Sequence, residues 1–154
     1  MGGVAMTVAA KRWMAGVLAV AAAYQGVWAA AFPWSYYTDF PAPGLHWVAA
    51  LGPYNEHLAV DVGALNLALL VLSMWALRRP TRASMAVTGG AWSIYNAIHF
   101  VWHMMHLHVF PIIDKISVAV ILGGLLILSI LLMLPVKEIK PGPSVRVGED
   151  AGQG

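Results

Sequence analysis

The chain has no cysteine and few charged residues. The first absence excludes several kinds of chemical site, and the second excludes a class of protein. Without cysteine it can form no disulfide bond, no thiolate metal site and no thiol nucleophile. Only 10% of its 154 residues are Asp, Glu, Lys or Arg, whereas soluble domains carry about 25%. With 60% hydrophobic residues, the composition excludes an ordinary soluble domain and favours a single integral membrane domain.

Long uncharged stretches divide the sequence into segments that can cross a membrane. A helix needs about 20 mostly apolar residues to span the hydrocarbon core of a bilayer. Stretches free of Asp, Glu, Lys and Arg run over Trp13–Thr38, Val62–Leu77, Ala83–Ile113 and Ile116–Val136. The second reaches the required length once Leu58–Asp61 is added at its start. We therefore expect an all-α, four-helix membrane bundle over residues 1–136, with a long outer loop at 33–54 and helices at about 13–32, 58–77, 84–107 and 116–134.

The first helix has a second interpretation. Lys11 and Arg12, followed by an apolar run and by the sequence AVAAA that ends at Ala23, also fit a cleavable signal peptide. The apolar stretch continues through Phe32, which is further than the hydrophobic region of such a peptide extends. We therefore expect a retained helix.

Basic residues are concentrated on one side of the predicted bundle. Short loops rich in Lys and Arg stay in the cytoplasm, and eight of the nine basic residues fall on one side, leaving only Lys115 opposite. The sequence thus predicts an inner-membrane protein with cytoplasmic termini. Residues 137–154, rich in Pro, Gly and charge, are expected to form a disordered cytoplasmic tail. The net charge of +2 reflects these cytoplasmic anchors, so the expected partners are the bilayer and a homo-oligomer or larger membrane complex, not nucleic acid.

The sequence HFVWHMMHLHVF, at residues 99–110, places four histidines at the end of the third predicted helix. With about 100° of rotation per residue, His103 and His106 lie within about 40° of His99 around the helix, whereas His108 points away. The other polar and aromatic members of this face are Trp92, Tyr95 and Asn96. Polar groups inside a membrane generally face the bundle interior, so we expect this ridge to face another helix.

The second predicted helix presents matching groups at the same end of the bundle. His57 and Asp61, four residues apart, share one face of it. Because the second and third helices run antiparallel, Asp61 is expected beside His103 and His57 beside His106. Asn66 lies about 140° around the helix from Asp61 and is expected to face a different neighbour.

Three local predictions concern the loops. Asn55 is expected to cap the second helix and Asp114 the fourth. The sequence LHWVAAL, at residues 45–51, is expected to form one or two helical turns on the outer leaflet. The aromatic residues of the same loop, Trp47 among them, are expected at the membrane interface.

Several functions of the histidine cluster remain open at this point. Asp61, His99, His103 and His106 supply the donor atoms of a transition-metal site for copper, zinc or iron. A b-type haem takes one axial ligand from each of two helices, and His57 with His103 or His106 is the pair that the sequence offers. Alternatively, the polar groups handle protons or a small ligand. In a last alternative they only fix helix packing in an accessory subunit, a scaffold or a homo-oligomer.

The run GPYNEHLAVDVGALNLAL, with HFVWHMMHLH one helix later, resembles a family of small four-helix bacterial membrane proteins with no assigned activity. The most specific part of the likeness is the pattern N-E-H-L-x-x-D-x-G from Asn55 to Gly63. The resemblance covers most of the chain, from the first helix to the fourth, and it implies the four-span architecture alone. The chain is also similar to DoxX-like four-helix proteins at the level of fold, which does not carry function.

Overall fold

The computed structural model describes residues 6–135 and shows an all-helical chain, with no β-strand in that range. Its α-helices, in chain order, are α1 (Val8–Ala31), α2 (Pro33–Asp39), α3 (Glu56–Arg78), α4 (Arg82–Met105) and α5 (Ile112–Met133). Two 3-10 turns, Ala49–Leu51 and Leu107–Val109, lie in the loops before α3 and α5. The all-α prediction is confirmed for this part of the chain, whereas the predicted tail at 137–154 lies outside the described residues.

Three of the described helices, α1, α3 and α5, are long and apolar enough to cross a membrane. α4 has a comparable length of 24 residues. It is less apolar than the others because its interior carries hydroxyl, amide and imidazole side chains. Its role as a fourth span, and the sides on which the termini lie, therefore remain predictions.

The long helices pack as two antiparallel pairs. α1 packs chiefly against α3 and α4 chiefly against α5, while α3 and α4 join the two pairs. Gly63 in α3 lies so close to Ala30 in α1 that an added Cβ atom would sit 2.5 Å from the Ala30 backbone nitrogen. Gly89 in α4 is similarly close to α5, with an added Cβ 2.8 Å from the Ser129 carbonyl oxygen. Glycine at these two positions allows the helix backbones to approach.

Buried polar side chains tie α4 to its neighbours. The indole of Trp92 in α4 donates a hydrogen bond to the Ser73 hydroxyl in α3 at 2.9 Å. The amide of Asn96 in α4 donates to the Ser129 hydroxyl in α5, also at 2.9 Å. All four side chains are buried. Without these bonds, the buried N–H groups of Trp92 and Asn96 would have neither water nor a protein acceptor as a hydrogen-bond partner. These bonds fix the position of α4 along both neighbouring helices.

Lys11, one of the predicted cytoplasmic anchors, is buried in the structure. Its ammonium donates a 2.9 Å hydrogen bond to the Leu132 carbonyl oxygen and a second bond to that of Leu134. The last carbonyl groups of a helix have no partner within the helix. The lysine at the start of α1 therefore caps the end of α5, and its neighbour Arg12 is the residue that remains exposed.

The starts of α3 and α5 differ in how well they follow the predicted caps. The Asn55 side chain accepts a hydrogen bond from the Leu58 backbone N–H, which confirms Asn55 as the N-cap of α3. Asp114 is not the cap of α5, because that helix begins directly after Pro111 and places Asp114 in its first turn. There the carboxylate lies at the positive end of the helix dipole.

The loop between α1 and α3 differs from the prediction in where its helix lies. Pro33–Asp39 forms α2, with proline at the first position, where its missing N–H removes no helical hydrogen bond. Of the helical turns predicted at 45–51, the structure contains one 3-10 turn, Ala49–Leu51. Gly52 follows it with a φ of 157°, which is not a helical conformation. Trp47, expected at the membrane interface, is buried against Phe110 with ring centroids 6.3 Å apart.

Candidate functional site

The polar and aromatic ridge predicted from the sequence lies on α4 and faces the interior of the bundle. Trp92, Asn96 and His103 are buried there, and Tyr95 and His99 are half-buried. Tyr95 and His99 stack with ring centroids 5.3 Å apart and planes 14° apart. His103 meets His99 edge-on, with centroids 4.5 Å apart. α4 thus carries a column of three rings that leads to the histidine end, the end of the bundle where α4 finishes and α3 and α5 begin.

His103 is the member of this column with an unmet hydrogen-bonding atom. The residue is 8% exposed, and its Nδ1 atom has no hydrogen-bond partner within residues 6–135. A buried polar atom without a partner costs about 1–3 kcal/mol, so a ligand that satisfies it is stabilised there. The ring also stacks on Phe110, with centroids 6.5 Å apart, which covers the site from the loop before α5.

Trp47 supplies a second unpartnered group near the same phenyl ring. Its indole nitrogen is buried and has no hydrogen-bond partner in the described part of the chain. Because Trp47 packs on Phe110 as His103 does, Phe110 contacts both rings whose nitrogen atoms are unsatisfied. The sequence did not predict the burial of Trp47, because an aromatic side chain in a loop carries no local signal that separates a buried position from an interfacial one.

His106 leaves the column, contrary to the helical projection. It is the C-cap of α4, its Nδ1 lies 2.7 Å from the Trp102 carbonyl oxygen, and its ring stacks on the Trp102 indole at 4.0 Å. The regular helix ends one residue earlier, so its rotation does not extend to His106. His108 lies in the following 3-10 turn and is exposed. His99 and His103 are therefore the two histidines of this segment that line the interior, and they are called the imidazole pair below.

The two charged partners predicted on α3 pair with each other at the surface. His57 Nδ1 lies 2.8 Å from an Asp61 carboxylate oxygen, and the two side chains are 84% and 62% exposed. Within residues 6–135 no ion pair joins Asp61 to His103, so the contact expected between those two residues is not formed. The structure brings His57 and Asp61 together, but away from the imidazole pair.

Asn66 takes the place beside α4 that was predicted for Asp61. Its side-chain amide donates to the Val62 carbonyl oxygen at 2.9 Å and to the Tyr95 hydroxyl at 3.5 Å. The two α3 residues lie about 140° apart around the helix, so only one can face α4. α3 buries the side with the uncharged amide and exposes the carboxylate, because an unpaired buried charge costs far more than a buried amide with partners.

Gln25 and Tyr36 extend the interior polar groups toward α1 and α2. The Gln25 amide donates to the Tyr36 hydroxyl at 2.9 Å, and Tyr36 is buried. Burial raises the pKa of the Tyr36 hydroxyl, which therefore holds its proton more tightly than a tyrosine in water does. An amide in an otherwise apolar helix is a sequence signal for such a contact, whereas nothing singles out Tyr36 within its aromatic-rich loop.

The residues placed to hold a metal ion at this site are the imidazole pair. The pair offers two nitrogen donors, one from each imidazole. In the portion of the chain that the structure describes, no third His, Cys, Asp or Glu side chain joins them to form a larger group. Neutral imidazole nitrogen is a ligand for copper, zinc and iron. The haem ligation predicted through His57 does not fit, because that residue pairs with Asp61 on another side of α3 and does not face α4.

Comparison with protein-family models, curated proteins and solved structures finds no match to this chain. A functional assignment therefore rests on the chemistry of the site itself.

Proposed function

We propose that this chain is a four-span protein of the inner (cytoplasmic) membrane that binds a transition-metal ion at His99 and His103, in its extracytoplasmic half. The observation that carries this function is the buried, unpartnered Nδ1 atom of His103 beside the ring of His99, 4.5 Å away between centroids. Residues four apart on a helix are neighbours on one face. Two neutral imidazoles in that relation can direct nitrogen lone pairs toward a single ion.

The membrane placement is supported by length and charge. α1, α3 and α5 are candidate spans, and the 24 residues of α4 extend about 36 Å, enough to cross a hydrocarbon core of about 30 Å. Arg78, Arg79 and Arg82 lie at the junction of α3 and α4, where basic residues favour the cytoplasmic side. Both termini are then cytoplasmic, and the histidine end faces outward.

Reduced copper is the metal that best suits this donor set. Structural zinc sites have four protein ligands, and catalytic ones have three with a water, whereas the imidazole pair supplies two. Non-haem iron sites add a carboxylate to two histidines, and Asp61 is turned away from the pair. Monovalent copper accepts low coordination numbers and binds imidazole, so two histidines on one helix suffice to hold it.

The metal content of the purified protein tests this function. Protein prepared in mild detergent, without a histidine tag and under reducing conditions, is expected to retain near-stoichiometric copper. His99→Ala and His103→Ala should each lose most of it, because one imidazole holds the ion far more weakly than two. His108→Ala is the matched control, since it removes an exposed imidazole from the same segment, and Asp61→Ala should also keep its copper.

Two results would contradict the proposed metal site. One is copper that stays bound in both His99→Ala and His103→Ala, which places the ion elsewhere. The other is wild-type protein that takes up no copper when monovalent copper is supplied in excess. Circular dichroism of each variant separates the loss of a ligand from the loss of the fold.

Single cysteines test the membrane placement, because the chain has no cysteine of its own. Lys115→Cys, in the first turn of α5, should react in intact cells with a maleimide that cannot cross the membrane. Arg79→Cys, between α3 and α4, should react only after the membrane is opened. The reverse pattern would contradict the proposed orientation.

A second function is favoured by the hydrogen bonds between α3 and α4. Asn66 donates to Tyr95, and Trp92 donates to Ser73, so part of the interior polar set clearly acts in packing. In this alternative the chain is an accessory or scaffold subunit, or a homo-oligomer, and the whole polar set only positions helices. His103→Ala would then lower the melting temperature in detergent and leave the metal content equal to that of the wild type.

A further inference from the structure

α3 carries a stripe of exposed side chains that no other residue between 6 and 135 covers. Their spacing alternates between four and three residues, and the members are His57, Asp61, Ala64, Ala68, Val71 and Trp75. Alternating steps of four and three keep one face of a helix toward a partner helix, as in the seam of a coiled coil. Helices in membranes commonly pack with the same left-handed geometry. This set of residues is called the α3 seam.

The charged end of the α3 seam does not suit a surface that faces lipid. Asp61 lies five residues after Glu56, about 8 Å along the helix axis, within a candidate membrane span. Acidic side chains in such spans ordinarily face protein or a water-filled cavity. His57, its partner on the same helix, leaves most of the carboxylate surface exposed. A partner that covers the α3 seam therefore needs polar groups opposite His57 and Asp61.

We propose that the α3 seam is the interface of a homodimer in which two copies of α3 pack side by side. Both copies insert with the same orientation, because the same basic residues direct them. The two helices are then parallel, and residues at equal depth meet across a two-fold axis. In such a seam each side chain packs against its counterpart and against the residues one turn along the partner helix, so the His57 imidazole of one copy can donate a hydrogen bond to the Asp61 carboxylate of the other.

Small side chains below the charged pair favour the same occupant. Ala64 and Ala68, four residues apart, allow close approach of two helix backbones. The same positions meet each other in a two-fold dimer, so small residues face small residues and the larger Val71 and Trp75 pack at the other end. A partner helix with only apolar side chains would leave the exposed part of the Asp61 carboxylate without a polar partner. A second copy supplies the His57 imidazole.

Disulfide cross-linking in native membranes tests this interface with a matched control. Ala64→Cys lies on the seam, and Val120→Cys lies on the exposed side of α5, where Val120 is 68% exposed. Each is eight residues from the first residue of its helix, and both helices begin at the histidine end. Mild oxidation should convert Ala64→Cys to a covalent dimer at least about tenfold more than Val120→Cys, because a disulfide requires Cα atoms within about 7 Å.

A second variant pair tests the polar contact that Asp61 makes across the seam. Asp61→Ala should weaken self-association in lipid vesicles about fivefold, the effect of losing about 1 kcal/mol of polar contact between helices. Glu56→Ala removes an exposed acid from the same turn but off the seam, and it should leave association unchanged. Energy transfer between labelled copies at increasing lipid dilution gives both values.

The proposed homodimer is overturned if the two cysteine variants cross-link equally, or if Ala64→Cys links only to a different protein. It is also overturned if Asp61→Ala and Glu56→Ala associate as tightly as the wild type. The interface uses no atom of the imidazole pair, and Asp61→Ala retains its copper under the proposed function. Cross-linking and self-association therefore test the dimer, and metal content separately tests the proposed metal site.

Discussion

The Lys11 ammonium at the start of α1 lies 2.9 Å from the Leu132 carbonyl oxygen near the end of α5, although the two residues are 121 positions apart in the sequence. This bond joins the first long helix to the last and closes the bundle at the end opposite the histidines. A buried lysine is costly unless its donors are satisfied. Here they meet carbonyl groups that the helix end leaves without partners.

Lys11→Met is expected to lower the free energy of unfolding by about 1–3 kcal/mol, because buried carbonyl groups lose their donor. Arg12→Met is the matched control, since it removes the same charge from the exposed neighbouring residue and should leave stability nearly unchanged. Unfolding by sodium dodecyl sulfate in mixed micelles measures the difference. Equal effects of the two substitutions would show that the positive charge matters and the hydrogen bond does not.

The contact of Gly63 with Ala30 makes a second prediction. A Cβ atom at residue 63 would sit 2.5 Å from the Ala30 nitrogen and 2.8 Å from its Cα, and these backbone atoms move only if α1 moves. Gly63→Ala should therefore cost about 1–3 kcal/mol. Gly124 in α5 has no atom within 4 Å of an added Cβ, so Gly124→Ala should be neutral or should gain up to about 1 kcal/mol of helix propensity. Thermal unfolding followed by circular dichroism compares them, and equal losses would contradict the close packing of α1 on α3.

Local patterns in the sequence predicted the long helices and the shared face of α4 well. Charge-free runs reflect the requirement for apolar side chains along a helix that crosses a membrane, and that requirement is local to each segment. The rotation of about 100° per residue relates side chains on one helix without reference to any other. Burial of Trp92, Asn96 and His103 on one side of α4 agrees with it.

Contacts between helices were predicted less well, because they depend on several elements at once. Asp61 and Asn66 are both polar residues of α3, and nothing local decides which one faces α4. The close approach of Gly63 to Ala30 sets how α3 rotates against α1, and that rotation turns Asn66 inward. The burial of Lys11 likewise depends on where α5 ends, far away in the sequence.

The hydrogen bond from Trp92 to Ser73 predicts a measurable coupling between α3 and α4. Ser73→Ala leaves the buried indole N–H without an acceptor and should cost about 1–3 kcal/mol. Ser93→Ala is the control, because the Ser93 hydroxyl is buried with no partner in the described residues and its removal should cost little. In a double-mutant cycle with Trp92→Phe, the coupling should lie between about 0.6 and 1.7 kcal/mol. Strict additivity of the two substitutions would contradict the bond.

The buried Tyr36 hydroxyl makes stability depend on alkaline pH in a defined direction. Its pKa is raised chiefly by burial, an effect opposed by the hydrogen bond from Gln25. The folded protein therefore holds a proton that the unfolded chain releases above about pH 10. A raised pKa in the folded state means that the stabilisation is complete below the unfolded pKa and is lost as pH rises toward the folded one.

Tyr36→Phe should accordingly reduce the fall in stability between about pH 9 and pH 11, since phenylalanine has no proton to lose. At neutral pH the same variant should be less stable by about 1 kcal/mol, because the Gln25 amide loses its acceptor. Tyr37→Phe, which leaves Tyr36 in place and alters a hydroxyl bound to the Gly52 carbonyl oxygen, should retain the wild-type pH dependence. Melting temperatures of the wild type, Tyr36→Phe and Tyr37→Phe across this pH range test the prediction. Parallel curves for all of them would mean that the Tyr36 hydroxyl ionises as readily in the folded protein as in the unfolded chain, and that α2 does not seal it from solvent.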